Sequence, residues 1–473
     1  QRQMCIRDSH WQIPATFLAV FILATIWFAT VIKLPGAFAQ SWDNAFHLNL
    51  AMMFTQNGNA SSLAANIVGQ DPTGYYPAAW HGLVALIAST CSRSVVVATN
   101  ALTIVVAFSV WPLSIYTFTS EITRNKVATT LSIPLSLAFP QFPMGFVGYG
   151  TLYPNLLGYA FIPLCAALLI NCLRKWPHQI IYKLCLAVVA ITAASVSHPN
   201  SIFIIAIFFV VITWWFTLRA ILKRLANAEK NILIQALFVL GWSLLWFAIY
   251  VSWDRFCYRI DFIHAMRGPE AYNFNPVSGT YRQGVRDLLL LTGDTGFNSS
   301  FQYSFLLLVP LTILAWVGFF RICRFPRQWL LCFIWIPLAF YYLVVTGMHN
   351  INLRRYFVGV WYNDAPRIFA PIVFVTVPLA AIGAAWIWSL ILRFVHKIRS
   401  VKTRVMAFPL YLACLALFTI WGPLPLKSTG PWVFSAFEIP KPDVDGYQLI
   451  DTDELELLFS LPEYVPKNDA ILA

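Results

Sequence analysis

Residues 13–47 run IPATFLAVFILATIWFATVIKLPGAFAQSWDNAFH. The first part, residues 13–32, carries no charge and is long enough as a helix to cross a hydrocarbon core of about 30 Å. The chain then turns polar and soon reaches an acid, Asp43. The run is too long and too aromatic for a cleaved signal, and no small-residue cleavage site after it is convincing, so it reads as a retained first span. The residues before it, QRQMCIRDSH at 1–10, are unlike the rest of the chain and read as a non-native leader.

The same kind of run recurs. Eleven apolar stretches are long enough, or nearly so, to span: 13–32, 95–118, 127–139, 156–173, 181–196, 201–218, 232–253, 305–320, 329–346, 368–392 and 405–421. The third is short and holds Pro134, so it either extends onward or ends at membrane depth inside the protein. Hydrophobic residues make up 59% of the 473-residue chain and charged ones only 11%, against about 25% charge in soluble domains. Mean hydropathy is +0.67. Lipid must solvate much of such a surface.

The loops sort by charge. Short basic ones at 121–126, 174–183, 219–230, 321–327 and 393–404 fall at alternate connections. By the positive-inside rule they face the cytoplasm. Longer mixed loops at 33–94, 141–155, 198–200, 254–304 and 347–367 share the other side with the tail after Trp421. The amino terminus is then cytoplasmic and the carboxyl terminus extracytoplasmic. The apolar stretch 78–89 is short for a span and suits an interfacial or re-entrant helix; a crossing there would turn every later basic loop outward. The expected fold is an all-α integral membrane protein of about eleven transmembrane helices, with amphipathic helices in the first outer loop. Residues 11–424 form that domain, and the Pro-rich, more acidic residues 425–473 read as the truncated start of an extracytoplasmic domain.

The net charge of +12 does not point to nucleic acid, because the cations sit in short loops and form no basic face with stacking aromatics. Cys165, Cys172, Cys185, Cys332 and Cys414 lie in apolar runs, and the sequence has no CxxC pair or zinc spacing. There is no Walker loop, GxSxG elbow or HExxH.

Polar residues instead gather in the outer loops. In SWDNAFHLNLAMMF, Asp43 and His47 are four apart and share a helical face, where they can exchange a proton or hold a divalent metal. Asp43 also suits an N-cap. In DPTGYYPAAWHGLVALIA, Tyr75 and Tyr76 precede His81, as sugar contacts or as an interfacial aromatic belt. GYGTLYPN places Tyr149, Tyr153 and Asn155 in a Gly-rich loop that either stacks on a sugar or merely connects. SVSHPNS holds His198 and Asn200 at the boundary between two spans, as a positioned polar pair or as a capped hairpin. Between 254 and 304, five arginines meet several acids, for ion pairing or for a lipid phosphate. HNINLRRYFVGVWYNDAPRIF carries Arg354, Arg355, Asn363, Asp364 and Arg367, with Arg367 opening a long span at headgroup depth and Asp364 at its cap.

An acid after the first span, followed by an aromatic–Pro–x–x–x–His element, resembles the GT-C superfamily of glycosyltransferases. WDNAFH, GYYPAAWH, GYGTLYPN, SHPN and YNDAPRI look more closely like an actinobacterial multi-pass family of unknown function. The GT-C acid is often one of a pair; here Asn44 stands where a second acid would. The resemblance implies a polyprenyl-phosphate-linked sugar donor, a cell-envelope glycan acceptor and transfer on the outer face. It makes Asp43 the catalytic acid. Asn44, His47, His81 and His198 become acid/base or metal support for a possible divalent cation. Arg354, Arg355 and Arg367 would take the lipid phosphate, and Tyr75, Tyr76, Tyr149, Tyr153, Asn363 and Asp364 the sugar or acceptor. The alternatives are an O-antigen-type ligase or polymerase relying on His264, Arg282 and Arg286, a lipid or glycan transporter, or a scaffold with a degenerate site. Nearly charge-free spans with polar clusters on one face weigh against a transporter.

Overall fold

A computed structural model describes residues 12–67, 74–174, 179–228, 231–268, 277–293, 305–398, 436–437 and 450–465. The expected leader at 1–10, the run 405–421 and most of 425–473 lie outside the described residues. Among the described residues there is no sheet, only an isolated bridge between Ala64 and Gly74.

The first spanning helix is α1 (Gln12–Ile32). The long connection after it holds α2 (Trp42–Asn57) and α3 (Ala79–Cys91). Then come α4 (Val95–Ile122), α5 (Lys126–Ser136), the short α6 (Met144–Gly148), α7 (Tyr153–Arg174), α8 (Ile180–Ser197), α9 (Ser201–Ala228) and α10 (Ile232–Cys257). The second half adds α11 (Asp261–Arg267), α12 (Tyr281–Leu290), α13 (Phe305–Ile322), α14 (Leu330–Gly347), α15 (Ile351–Val358), α16 (Ala365–Ile398) and α17 (Thr452–Tyr464).

Eight of the expected runs fall on helices long and apolar enough to cross a membrane. Residues 305–320 lie on α13, which is 18 residues long. Of the run 127–139, residues 127–136 lie on α5, only 11 residues long and buried from Ala128 to Ser136. Of the two outcomes open to that run, ending inside the protein is the one observed. The indole of Trp111 donates to the Ser136 carbonyl at 2.9 Å, satisfying an acceptor at this interior helix end. The 13-residue α3 is short for a span and packs on α2 through Leu50, Phe54, Ala78 and Ala85.

The helices differ sharply in burial. The apolar stretch of α16 is wholly buried, packed among α4, α5, α13 and α14. That of α10 has no buried residue, so Leu237, Leu240 and Phe247 project outward. Such a helix is stable only where lipid replaces water around it. Gly318 of α13 and Gly383 of α16 make the closest crossing: a Cβ on either would overlap a carbonyl of the opposite helix, Leu379 or Leu314. Small residues at such crossings let helix backbones meet. Gly383→Val should cost about 1–3 kcal/mol, read as a lower unfolding midpoint in detergent.

Candidate active site

The site forms where α2 and α3 cover one end of the bundle. Ser41, extended at φ −140°, caps α2 by accepting from the Asn44 N–H. Asp43 therefore lies in the first turn and is not the cap, which leaves its carboxylate free at an exposed position. Among the described residues no hydrogen bond or ion pair holds that carboxylate. Gly150 lies beside it: a Cβ there would make an ordinary contact with Asp43 Oδ2 at 3.7 Å, and it is the φ of +61° that suits glycine. The next residue, Thr151, is also left-handed at φ 48°. Its hydroxyl meets the Ser41 hydroxyl at 2.9 Å, tying this loop to the start of α2.

A second left-handed pair, Tyr362 (φ 61°) and Asn363 (φ 52°), faces it from the other side. This turn, costly for residues with a Cβ, delivers the chain into α16. There the Arg367 guanidinium lies 4.4 Å from the centre of the Tyr362 ring, and its Nε is 3.4 Å from Asp364 Oδ2. Tyr149 donates to Asp364 Oδ1 at 3.1 Å, and Tyr159 donates to the Arg367 carbonyl at 3.1 Å. The charge of Arg367 is felt at Asp43, His47, Tyr76, His198 and Tyr362, which makes it the centre of the cluster. Partial burial pushes the Asp43 carboxyl above its ordinary 3.8, and Arg367 pulls it back part of the way.

The histidines are fixed by their neighbours. His47 Nδ1 and His81 Nε2 are 2.9 Å apart, and the Thr151 backbone bonds the His47 ring. A carbonyl at Thr151 requires an N–H from His47, so His81 is the donor to His47 Nδ1. His198 Nδ1 accepts from the Asn200 N–H at 3.3 Å, and Asn200 Oδ1 accepts from Asn155 at 2.9 Å. Gly158 lets α7 meet this turn, since a Cβ there would fall 2.5 Å from the Ser201 hydroxyl. Burial pulls His47 and His198 down to about 3, and His81 downward as well. These three are neutral at neutral pH and serve as fixed dipoles.

That state links the site to stability. A folded-state pKa below the ordinary 6.5 means the unfolded chain binds more protons between about pH 6.5 and 3. Stability is then full above pH 6.5 and falls with acid, by about 2 kcal/mol per histidine at pH 5. The unfolding midpoint should drop across that window, and His198→Gln should flatten the slope.

Several expected residues sit elsewhere or serve as packing. Asn44 is buried, and its amide donates to the Ala39 carbonyl at 2.8 Å. Tyr153 is buried inside α7 and stacks on Trp80 at 5.0 Å. Tyr76 packs edge-on against Phe46 at 4.7 Å, while Tyr75 is exposed. Arg354 and Arg355 are buried on α15 and are not among the groups acting on Asp43. In the 254–304 segment, Arg267 pairs with Asp254 at 2.7 Å and Arg286 with Asp287 at 3.1 Å, as the ion-pair reading requires; Glu270 and Asp294 lie outside the described residues. Tyr159 and Thr151 were not singled out from sequence. A Tyr within the apolar run of α7, whose hydroxyl needs a partner, was the available signal for the first. Thr151 acts through its left-handed backbone and through a hydroxyl contact with Ser41, 110 residues away in sequence, which local pattern does not reveal.

Among the described residues no three His, Cys, Asp or Glu side chains converge as a metal-ligand set. Asp364 is engaged by Tyr149 and Arg367, and His47 and His81 by one another, so Asp43 would be left to hold a metal alone.

The fold and this membrane-end cluster define a multi-pass α-helical membrane protein of GT-C-like architecture. The chain belongs to the family of unknown function DUF6541, whose match runs over residues 1–473. No curated protein matches it. Among solved structures it is similar to the archaeal oligosaccharyltransferase AglB from Archaeoglobus fulgidus, in complex with an inhibitory peptide and a dolichol-phosphate. Identity is 11%, the TM-score is 0.54, and 97% of this chain and 59% of that chain are covered. It is also similar to an Archaeoglobus fulgidus oligosaccharyltransferase in the apo form, at 11% identity and TM-score 0.50, covering 95% and 58%. The chain thus spans under two thirds of either neighbour.

Proposed function

We propose that this protein is a membrane glycosyltransferase that moves a sugar from a polyprenyl-phosphate donor to a cell-envelope acceptor at the extracytoplasmic face. The amino terminus would be cytoplasmic. The observation carrying the proposal is that an unbonded carboxylate, Asp43, stands within charge reach of a guanidinium, Arg367, at the end of a spanning helix. The likeness of fold to an oligosaccharyltransferase captured with a dolichol-phosphate supports it.

Asp43 takes the proton of the acceptor hydroxyl as that oxygen attacks the anomeric carbon. The bond from that carbon to the phosphate oxygen breaks, and its electron pair leaves with the polyprenyl phosphate. Arg367 meets the charge that grows there, where a preorganised cation contributes most. Tyr362 and Asp364 hold the guanidinium in place. The Thr151 loop, braced by His47 and His81, holds the cleft opposite. With Asp43 as the one uncommitted carboxylate among the described site residues, no step is routed through a metal.

A photoreactive polyprenyl phosphate tests the assignment on the membrane-embedded chain. Labelling of the peptide around Tyr362–Arg367 supports it. Labelling confined to α11 and α12, around His264, Arg282 and Arg286, would return the protein to the ligase reading.

A further inference from the structure

At the opposite end of the same helices lies a second cavity, of about 1280 Å³. The helix α16 carries Arg367 at its start and reaches the cavity with Ile382, Ala385 and Trp386. Fifteen to twenty residues of helix separate the two, about 22–29 Å, so a membrane's thickness lies between them. Six cations line it: Arg124, Arg174, Arg219, Lys223, Arg321 and Arg327. The acid lining it is Glu121, already committed to Arg174 at 2.6 Å and to Asn171 at 2.8 Å. Among the described residues no carboxylate pairs with the other five cations. Two of these guanidiniums lie over aromatic rings: Arg219 over Trp215 at 5.6 Å and Arg321 over Phe325 at 4.3 Å.

A basic collar that merely orients the protein needs cations near the membrane but no shared concavity. Here they converge on one hollow whose remaining wall is mainly apolar, with Phe216, Ile382 and Trp386, alongside the polar Thr123, Asn125, Gln328 and Ser389. Cations above an apolar flank at headgroup depth match an acidic lipid, with its phosphate among the guanidiniums and its chains along the helices. We propose that this cavity binds the phosphate headgroup of an anionic phospholipid in the leaflet opposite the candidate active site. The proposal is independent of the glycosyltransferase reading.

The test uses the full chain in phosphatidylcholine nanodiscs, with brominated phosphatidylglycerol or brominated phosphatidylcholine at equal low mole fraction. Trp386 is the reporter, isolated by difference against Trp386→Phe. The anionic lipid should quench it well beyond the neutral one. Arg219→Ala and Arg327→Ala should each weaken that preference roughly fivefold, as should the exposed and structurally mild Lys223→Ala. Arg324→Ala, in the same basic loop but off the cavity wall, should leave it unchanged. Equal quenching by both lipids overturns the proposal, as does an equal effect of Arg324→Ala, which would mark a diffuse collar. Reversal by millimolar inorganic phosphate would reassign the cavity to the free anion.

Discussion

Asp43→Asn should lower the turnover of sugar transfer by about 10²–10⁴-fold, the usual contribution of a general base, with donor KM changed little. The substitution keeps size and shape and removes the capacity to take a proton. It leaves the helix cap in place, because Ser41 and not Asp43 supplies it. The unfolding midpoint should therefore stay close to that of the parent, so that lost activity reports chemistry. The pH profile carries the sign. A base works ionised, and burial raises the Asp43 pKa above 3.8, so activity should climb with pH through an inflection above the ordinary carboxylate value. Asp43→Asn should abolish that limb in whatever activity remains. Near-parental turnover in the asparagine variant would end the proposed role, and with it the case against a ligase mechanism.

The helices were legible because lipid imposes a strong rule: each span must be long, apolar and internally hydrogen-bonded. Residues 13–32 and 368–392 met that rule and lie on α1 and α16. What hydropathy cannot say is which span is central. Ile232–Cys257 is as apolar as the buried Ala365–Phe394, yet its apolar stretch has no buried residue. The site was legible as residue types in outer loops and less so as geometry. Ser41 and Asp43 are both good caps two residues apart, and backbone angles decided between them. Three arginines within one loop shared the phosphate-binding expectation, Arg367 set apart only by its place at the start of a span. The left-handed turn at Tyr362 and Asn363 separates them, leaving Arg354 and Arg355 on α15 and bringing Arg367 to Asp43. Neither Tyr nor Asn at those positions announces that turn as a glycine would.

That separation makes Arg367 the sharper test of the phosphate site. Arg367→Ala should lower transfer by about 10²–10³-fold, as loss of a preorganised charge-stabilising group does. It should also destabilise the fold, because Asp364, with its side chain 6% exposed, would lose its cation; breaking a buried pair from one side costs about 3–5 kcal/mol. Arg367→Ala with Asp364→Asn should recover much of the stability and none of the activity, which separates the two losses. Arg367→Lys keeps the charge but gives up the planar fork and the stack over Tyr362. It should fall between parent and alanine, with kcat affected more than donor KM, since the charge it meets grows as the bond breaks. Arg355→Ala, off the cluster, should leave kcat near the parent's. If instead Arg355→Ala matches the loss at Arg367, or lysine at 367 retains full activity, the leaving phosphate is held somewhere other than at the mouth of α16.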